Sequence, residues 1–153
     1  ALLARVVDRA GESEACLNEF RRRLAPAGKT DKRPRVYFEE WNDPLIADLA
    51  WVSELIEHAG GEDVFAGLRE KGSASERVVS SEQICCANPE IIFASWCGRP
   101  VSVPAIAARR SWNELAAVRA GRIHKIPGAD ILQPGFRLVH GYEQMKQHLQ
   151  VVP

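Results

Sequence analysis

Two short stretches hold most of the residues whose types and spacing could do chemistry. "FEEWNDP" (38–44) sets Glu39, Glu40 and Trp41 ahead of Asn42, Asp43 and Pro44, and "ASWCGRP" (94–100) sets Trp96 ahead of Cys97, Gly98 and Arg99. An indole offers a broad apolar face and one N–H donor, so a tryptophan just past a strand suits a flat or bulky apolar ligand. Carboxylates, an asparagine amide and a guanidinium beside it would add hydrogen bonds to polar groups on the ligand's edge. Each feature has a plainer alternative: a large aromatic often completes a core, and an acid at a strand end is often only solvated. Adjacent residues on a strand point to opposite faces, so Glu39 and Glu40 cannot form a close acid/base pair. Glycoside hydrolysis loses its usual machinery on that ground.

Other chemistries fail on spacing. "AGKT" (27–30) matches the tail of a phosphate loop, but the full pattern needs glycine at position 23, where Arg23 stands, and the segment follows a helix instead of a strand. His58, His124, His140 and His148 have no partner at metal-ligand spacing and read as solvated or core histidines. Cys16, Cys85, Cys86 and Cys97 form no C-x-x-C pair and read as small buried hydrophobes. A G-x-S-x-G elbow is absent. No residue is therefore assigned a catalytic role or a metal. The 20 basic and 20 acidic residues cancel, and a nucleic-acid binder would need a basic excess. No apolar run approaches the roughly 20 residues of a membrane-spanning helix.

The elements that must position these residues follow from periodicity. With 153 residues, 46% of them hydrophobic and 26% charged, the chain has the composition of a globular domain and the length for one core. Residues 1–10 read as a helix with Leu3, Val6, Val7 and Ala10 on one stripe, interrupted at Gly11. The chain does not start with Met, and "ALLARVVDRAG" reads as the inside of a helix, as expected of a piece cut from a larger protein. A second helix spans about Glu12 to Leu24, with acids early, arginines late and Cys16, Phe20 and Leu24 on its apolar line. A polar linker follows.

Val36–Glu39 then reads as a strand, Asn42 or Asp43 as the cap of a helix through Leu45, Leu49, Val52, Ile56 and Ala59, and Arg77–Val79 as a short strand. Ser80 and Gln83 form a capping box, Ile91–Ser95 is a buried strand, and Ser102 with Pro104 opens a short helix. Ser111 and Glu114 open another that ends at Gly121; Ile123–Ile126 is a strand, and a last helix runs from about Gly135 to Leu149. Alternating strands and helices predict an α/β fold, a Rossmann-like parallel sheet flanked by helices. Ligands in such sheets meet the loops at the carboxyl ends of strands. Three loops qualify: Glu40-Trp41-Asn42, Trp96-Cys97-Gly98-Arg99 and Gly128-Ala129-Asp130. Trp41 and Trp96 are expected to keep much of their indole surface exposed beside one crevice. Trp51 lies near the same edge, and Trp112 is expected to pack.

In this order, "RPRVYFEEWNDPL", "WVSELIEHAGGEDVF", "VSSEQICCANPEIIFASWCGRPV" and "VRAGRIHKIPGADILQPGFRLVHGYEQM" resemble the C-terminal lobe of the cobalamin- and siderophore-binding proteins of ABC importers, most closely their cobalamin-binding-like branch. The resemblance covers nearly the whole chain and lies in the order and spacing of its parts. It implies two α/β lobes joined by one rigid helix, with the ligand between them. Residues 1–10 would be the remnant of a missing N-terminal lobe, 12–33 the interlobe helix and linker, and 34–153 the C-terminal ligand-binding lobe.

The resemblance implies a binding protein, not an enzyme, with no cofactor but a bound cobalamin or iron chelate. Its partners would be that small molecule, an ABC permease and the missing lobe. The ligand-binding residues would be Glu40, Trp41, Asn42, Trp51, Trp96, Cys97, Gly98, Arg99 and Asp130. The family's setting is periplasmic or extracytoplasmic, while unpaired cysteines leave a cytoplasmic one open. Where such lobes carry a surface acid for permease docking, this chain has Ser102. The rival is a small Rossmann-type enzyme or nucleotide-binding domain, and a further one an inert interaction domain.

Overall fold

The computed structural model describes residues 9–28 and 32–150. Helix α1 (Ala10–Arg23) precedes strand β1 (Arg35–Asn42), β2 (Leu45–Ala47), α2 (Ala50–His58) and β3 (Glu62–Asp63). After two 3₁₀ turns come α3 (Ser81–Ala87), β4 (Ile91–Ala94), α4 (Val103–Ala107), α5 (Ala116–Arg119), β5 (Ile123–Lys125), α6 (Gly128–Ile131) and α7 (Leu138–Leu149). The sheet order is β2-β1-β4-β5, with β3 beside the start of β1. β1 pairs in parallel with β4 (Val36 opposite Ile91) and β3, and β4 in parallel with β5; among the described strands only β2 runs antiparallel. This is the expected α/β architecture.

Alternation along the central strands builds two cores, one on each face. Val36, Phe38, Ile91 and Phe93 meet Val52 and Ile56 of α2 and Tyr142 and Met145 of α7. Tyr37, Ile92 and Ala94 meet Ile84, Ile106 and Trp112. Each fully buried large apolar side chain contributes about 1.5–3 kcal/mol, so burial on both faces is what holds the sheet. α1 is more loosely attached, by an edge-to-face contact of Phe20 with Phe136 at 5.3 Å and an ion pair of Arg23 with Glu143 at 2.7 Å.

Several boundaries are corrected. β1 does not end at Glu39. It runs on to Asn42 and returns through Asp43-Pro44 as β2, so Leu45 lies on a strand and the helix starts only at Ala50. Pro44, taken as a helix opener, sits in a hairpin turn, and the apolar run Leu45-Ile46-Ala47 is too short for periodicity to tell a strand from the start of a helix. Arg77–Val79 is not a sheet strand: Arg77 closes a 3₁₀ turn, and Val78 makes one isolated bridge to Ile46. Gly11 lies inside α1 instead of interrupting it. The expected helix over residues 1–10, with its stripe at Leu3, Val6 and Val7, lies almost wholly outside the described residues. The Ser80–Gln83 capping box is present, and Ser102 caps α4. Buried cysteines were expected, but Cys16, Cys86 and Cys97 are exposed and Cys85 is half-buried.

Candidate ligand-binding crevice

Parallel pairing brings the carboxyl ends of β1, β4 and β5 to one edge of the sheet. There the segment after β4 (Ser95 to Val101) faces the segment after β5 (Ile126 to Gly128). Two adjoining hollows open between them. One, of about 380 Å³, is bounded by Ser95, Trp96, Arg99, Lys125, Gly128 and Gln144. The other, of about 520 Å³, shares Trp96, Arg99 and Gly128 and extends to Cys97, Gln133 and Arg137. The turn that carries this wall requires Gly98, whose φ of +68° is strained for a residue with a side chain.

A buried acid sets Trp96 in place. Glu39 is 0% exposed and accepts from Trp96 Nε1 at 2.9 Å, and from Arg109 Nη1 and Nη2 at 2.5 and 2.9 Å. The Arg109 guanidinium in turn stacks over the Trp112 ring at 4.5 Å. A bidentate arginine compensates a carboxylate that could not otherwise be buried. The expectation of a widely exposed Trp96 indole is corrected: Trp96 is 8% exposed and packs in the second core, presenting only an edge to the crevice. A tryptophan N–H that finds a buried acceptor is drawn inward.

The remaining expected residues separate. Trp41 is half-buried at the end of β1, donates from Nε1 to the Asp43 carbonyl at 2.9 Å and lies under the Arg99 guanidinium at 5.6 Å. It touches the crevice through Arg99 and lines neither hollow. Glu40 is not a free ligand acid; it pairs with buried Arg77, which also donates to the Ala47 carbonyl at 2.6 Å. Asn42 Oδ1 is buried without a hydrogen-bond partner among the described residues. Trp51 is a brace more than a wall, because its Nε1 donates to the Ile131 carbonyl at 2.9 Å and ties α2 to α6. Asp130 is buried and held by Arg137 at 2.5 Å. Cys97, Gly98 and Arg99 are exposed at the rim. Ser95, Lys125, Gln144 and Arg137 went unnoticed in the sequence. Ser95 was legible by parity, since it follows the all-buried β4 run on the face opposite Trp96.

Outside the crevice, His124 on β5 and His148 on α7 stack with centroids 3.7 Å apart and planes 14° apart. Burial, then the neighbouring His148, pushes the His124 pKa down to about 4.

The fold is a parallel α/β lobe with a crevice at its strand ends, and comparison places its class. Residues 1–129 match the periplasmic binding protein family, and the chain belongs to it. That family consists of substrate-binding proteins and not enzymes, which removes the Rossmann-type enzyme alternative. A vitamin B12-binding protein of Vibrio parahaemolyticus is 26% identical over 156 residues, covering 98% of this chain and 54% of its own length. Among solved structures, a possible iron-binding (periplasmic solute-binding) protein of Staphylococcus epidermidis superposes with a TM-score of 0.76 at 20% identity, over 95% of this chain and 58% of the other. A periplasmic heme-binding protein of Roseiflexus also gives 0.76, at 17% identity over the same shares. The chain thus spans about half the length of the relatives it resembles.

Proposed function

We propose that residues 34–153 form one lobe of a two-lobed substrate-binding protein for a corrinoid or another metal chelate, which delivers its ligand to an ABC permease outside the cytoplasm. Residues 12–33 would be the connection to the other lobe and residues 1–10 its last helix. The observation that carries this is the crevice at the ends of β4 and β5, walled by Trp96 and rimmed by Arg99, at the sheet edge where α/β proteins take ligands. Support comes from the family and from relatives whose names specify vitamin B12, iron and heme. α1 would hold the lobes with little hinge motion, so that capture occurs by closing a gap already shaped. The position expected to dock on a permease carries Ser102, whose hydroxyl accepts from the Ala105 amide at 3.3 Å as the cap of α4.

The test is a tryptophan-fluorescence titration of the full two-lobed protein, and of this chain alone, with cyanocobalamin, hemin, ferric citrate and a neutral ferric hydroxamate. Saturable binding of one of them, tighter in the full protein than in the lobe, is the expected result. No saturable binding of any by either form would overturn the proposal.

A further inference from the structure

We infer that the smaller hollow receives a carboxylate arm of the ligand, so that the natural chelate is anionic at its periphery. The inference rests on the binding role proposed above and names the ligand class that this crevice fits. At the back of the 380 Å³ hollow, Ser95 is 1% exposed, and its Oγ has no hydrogen-bond partner among the described residues. A buried hydroxyl without a partner is costly, so it marks a place where a polar group belongs. Two cations stand at the mouth: the exposed Arg99 and Lys125, neither paired with a carboxylate among the described residues.

The acids that could neutralise these cations are engaged elsewhere. Glu39 is sealed beneath Trp96 by Arg109, and Asp130 is held by Arg137. The Gln144 amide donates to the His140 carbonyl at 3.2 Å. A hydroxyl donor and two cationic donors thus face one space with no acidic partner. A carboxylate accepts only, and it can take a bidentate guanidinium on one side and an ammonium on the other. A neutral amide arm would leave both charges unmatched as the second lobe closes and water leaves.

Matched ligands test this on the full two-lobed protein: hemin against its dimethyl ester, and ferric citrate against a neutral ferric hydroxamate. The carboxylate member of at least one pair should bind roughly tenfold or more tightly than its neutral counterpart, the size of one charge-assisted hydrogen bond. Arg99→Gln and Lys125→Gln, both at exposed positions, should each erase most of that preference while the melting temperature stays as in the parent. Ser95→Ala should lower affinity for the carboxylate member alone. Equal binding within both pairs, or cyanocobalamin preferred over every carboxylate ligand, would overturn the anionic assignment and leave the binding role standing. Absence of binding by all of these would overturn both.

Discussion

Glu39 shows how one residue decides the character of its surroundings. Sequence alone leaves it as a ligand acid or a solvated one, and it is neither: it lies wholly buried and organises Trp96 and Arg109. The signal that could have found it, an arginine some 70 positions later in the chain, is invisible to local patterns. Removing one partner from such a pair leaves an uncompensated buried charge. Arg109→Met should therefore cost about 3–5 kcal/mol, read as a shift in the urea midpoint. Adding Glu39→Gln should restore part of it, since the orphaned charge is then gone. A single variant as stable as the parent would mean that Glu39 is compensated by groups other than Arg109.

At the scale of elements, the parallel sheet and its ligand-bearing edge were legible because β1 holds the apolar run Val36–Phe38 and β4 is apolar throughout, with helical stripes between them. The hairpin of β1 and β2 was not, because Leu45 fits a helical and a strand period equally and only cross-strand pairing with Asn42 decides between them. The contact of α7 with α6 is also beyond sequence reach. Gly141 sits on α7 so close to α6 that an added Cβ would lie 2.5 Å from the Asp130 carbonyl oxygen. Backbone cannot yield as a side-chain end does. Gly141→Ala should cost about 1–3 kcal/mol in an unfolding titration and weaken ligand binding, because α6 lines the larger hollow with Gly128 and Ala129 and its buried Asp130 holds Arg137 there. A fully stable variant with parent-like binding would show that the two helices separate without strain.

The β5–α7 junction adds a pH dependence of known sign. His124 has a folded pKa of about 4, below the 6.5 of the unfolded chain. Its contribution is therefore complete above about 6.5 and lost as pH falls towards 4, since the unfolded chain takes up the proton first. His148, stacked on it and also lowered by burial, acts in the same direction. Asp48, raised by its burial, acts oppositely, favouring the fold as pH falls. Comparison with a variant isolates the histidine: the parent should lose more melting temperature between pH 7 and pH 5 than His124→Gln does. Parallel losses in both would place the dependence elsewhere.

For the whole molecule, the two cores cannot come apart independently, because the same strands build both. Phe38 and Phe93 enter the first core while Tyr37 and Ile92, their immediate neighbours in the chain, enter the second. Loss of either face therefore strips support from the other, and unfolding should be one cooperative transition. The chain holds a reporter on each side: Met145, its single methionine, in the first core and the buried Trp112 indole, which donates to Ser81 Oγ at 2.6 Å, in the second. In a urea titration followed by NMR, the Met145 methyl and Trp112 indole signals should vanish with one midpoint. Phe93→Ala removes a ring from the first core only and should cost about 3–5 kcal/mol, a large share of the 5–15 kcal/mol typical of a domain. If the sheet couples the faces, both signals shift together in that variant, although Trp112 lies across the sheet from the cavity. A variant in which the Met145 signal is lost first while Trp112 keeps the parent midpoint would show that the second core holds β1 and β4 on its own.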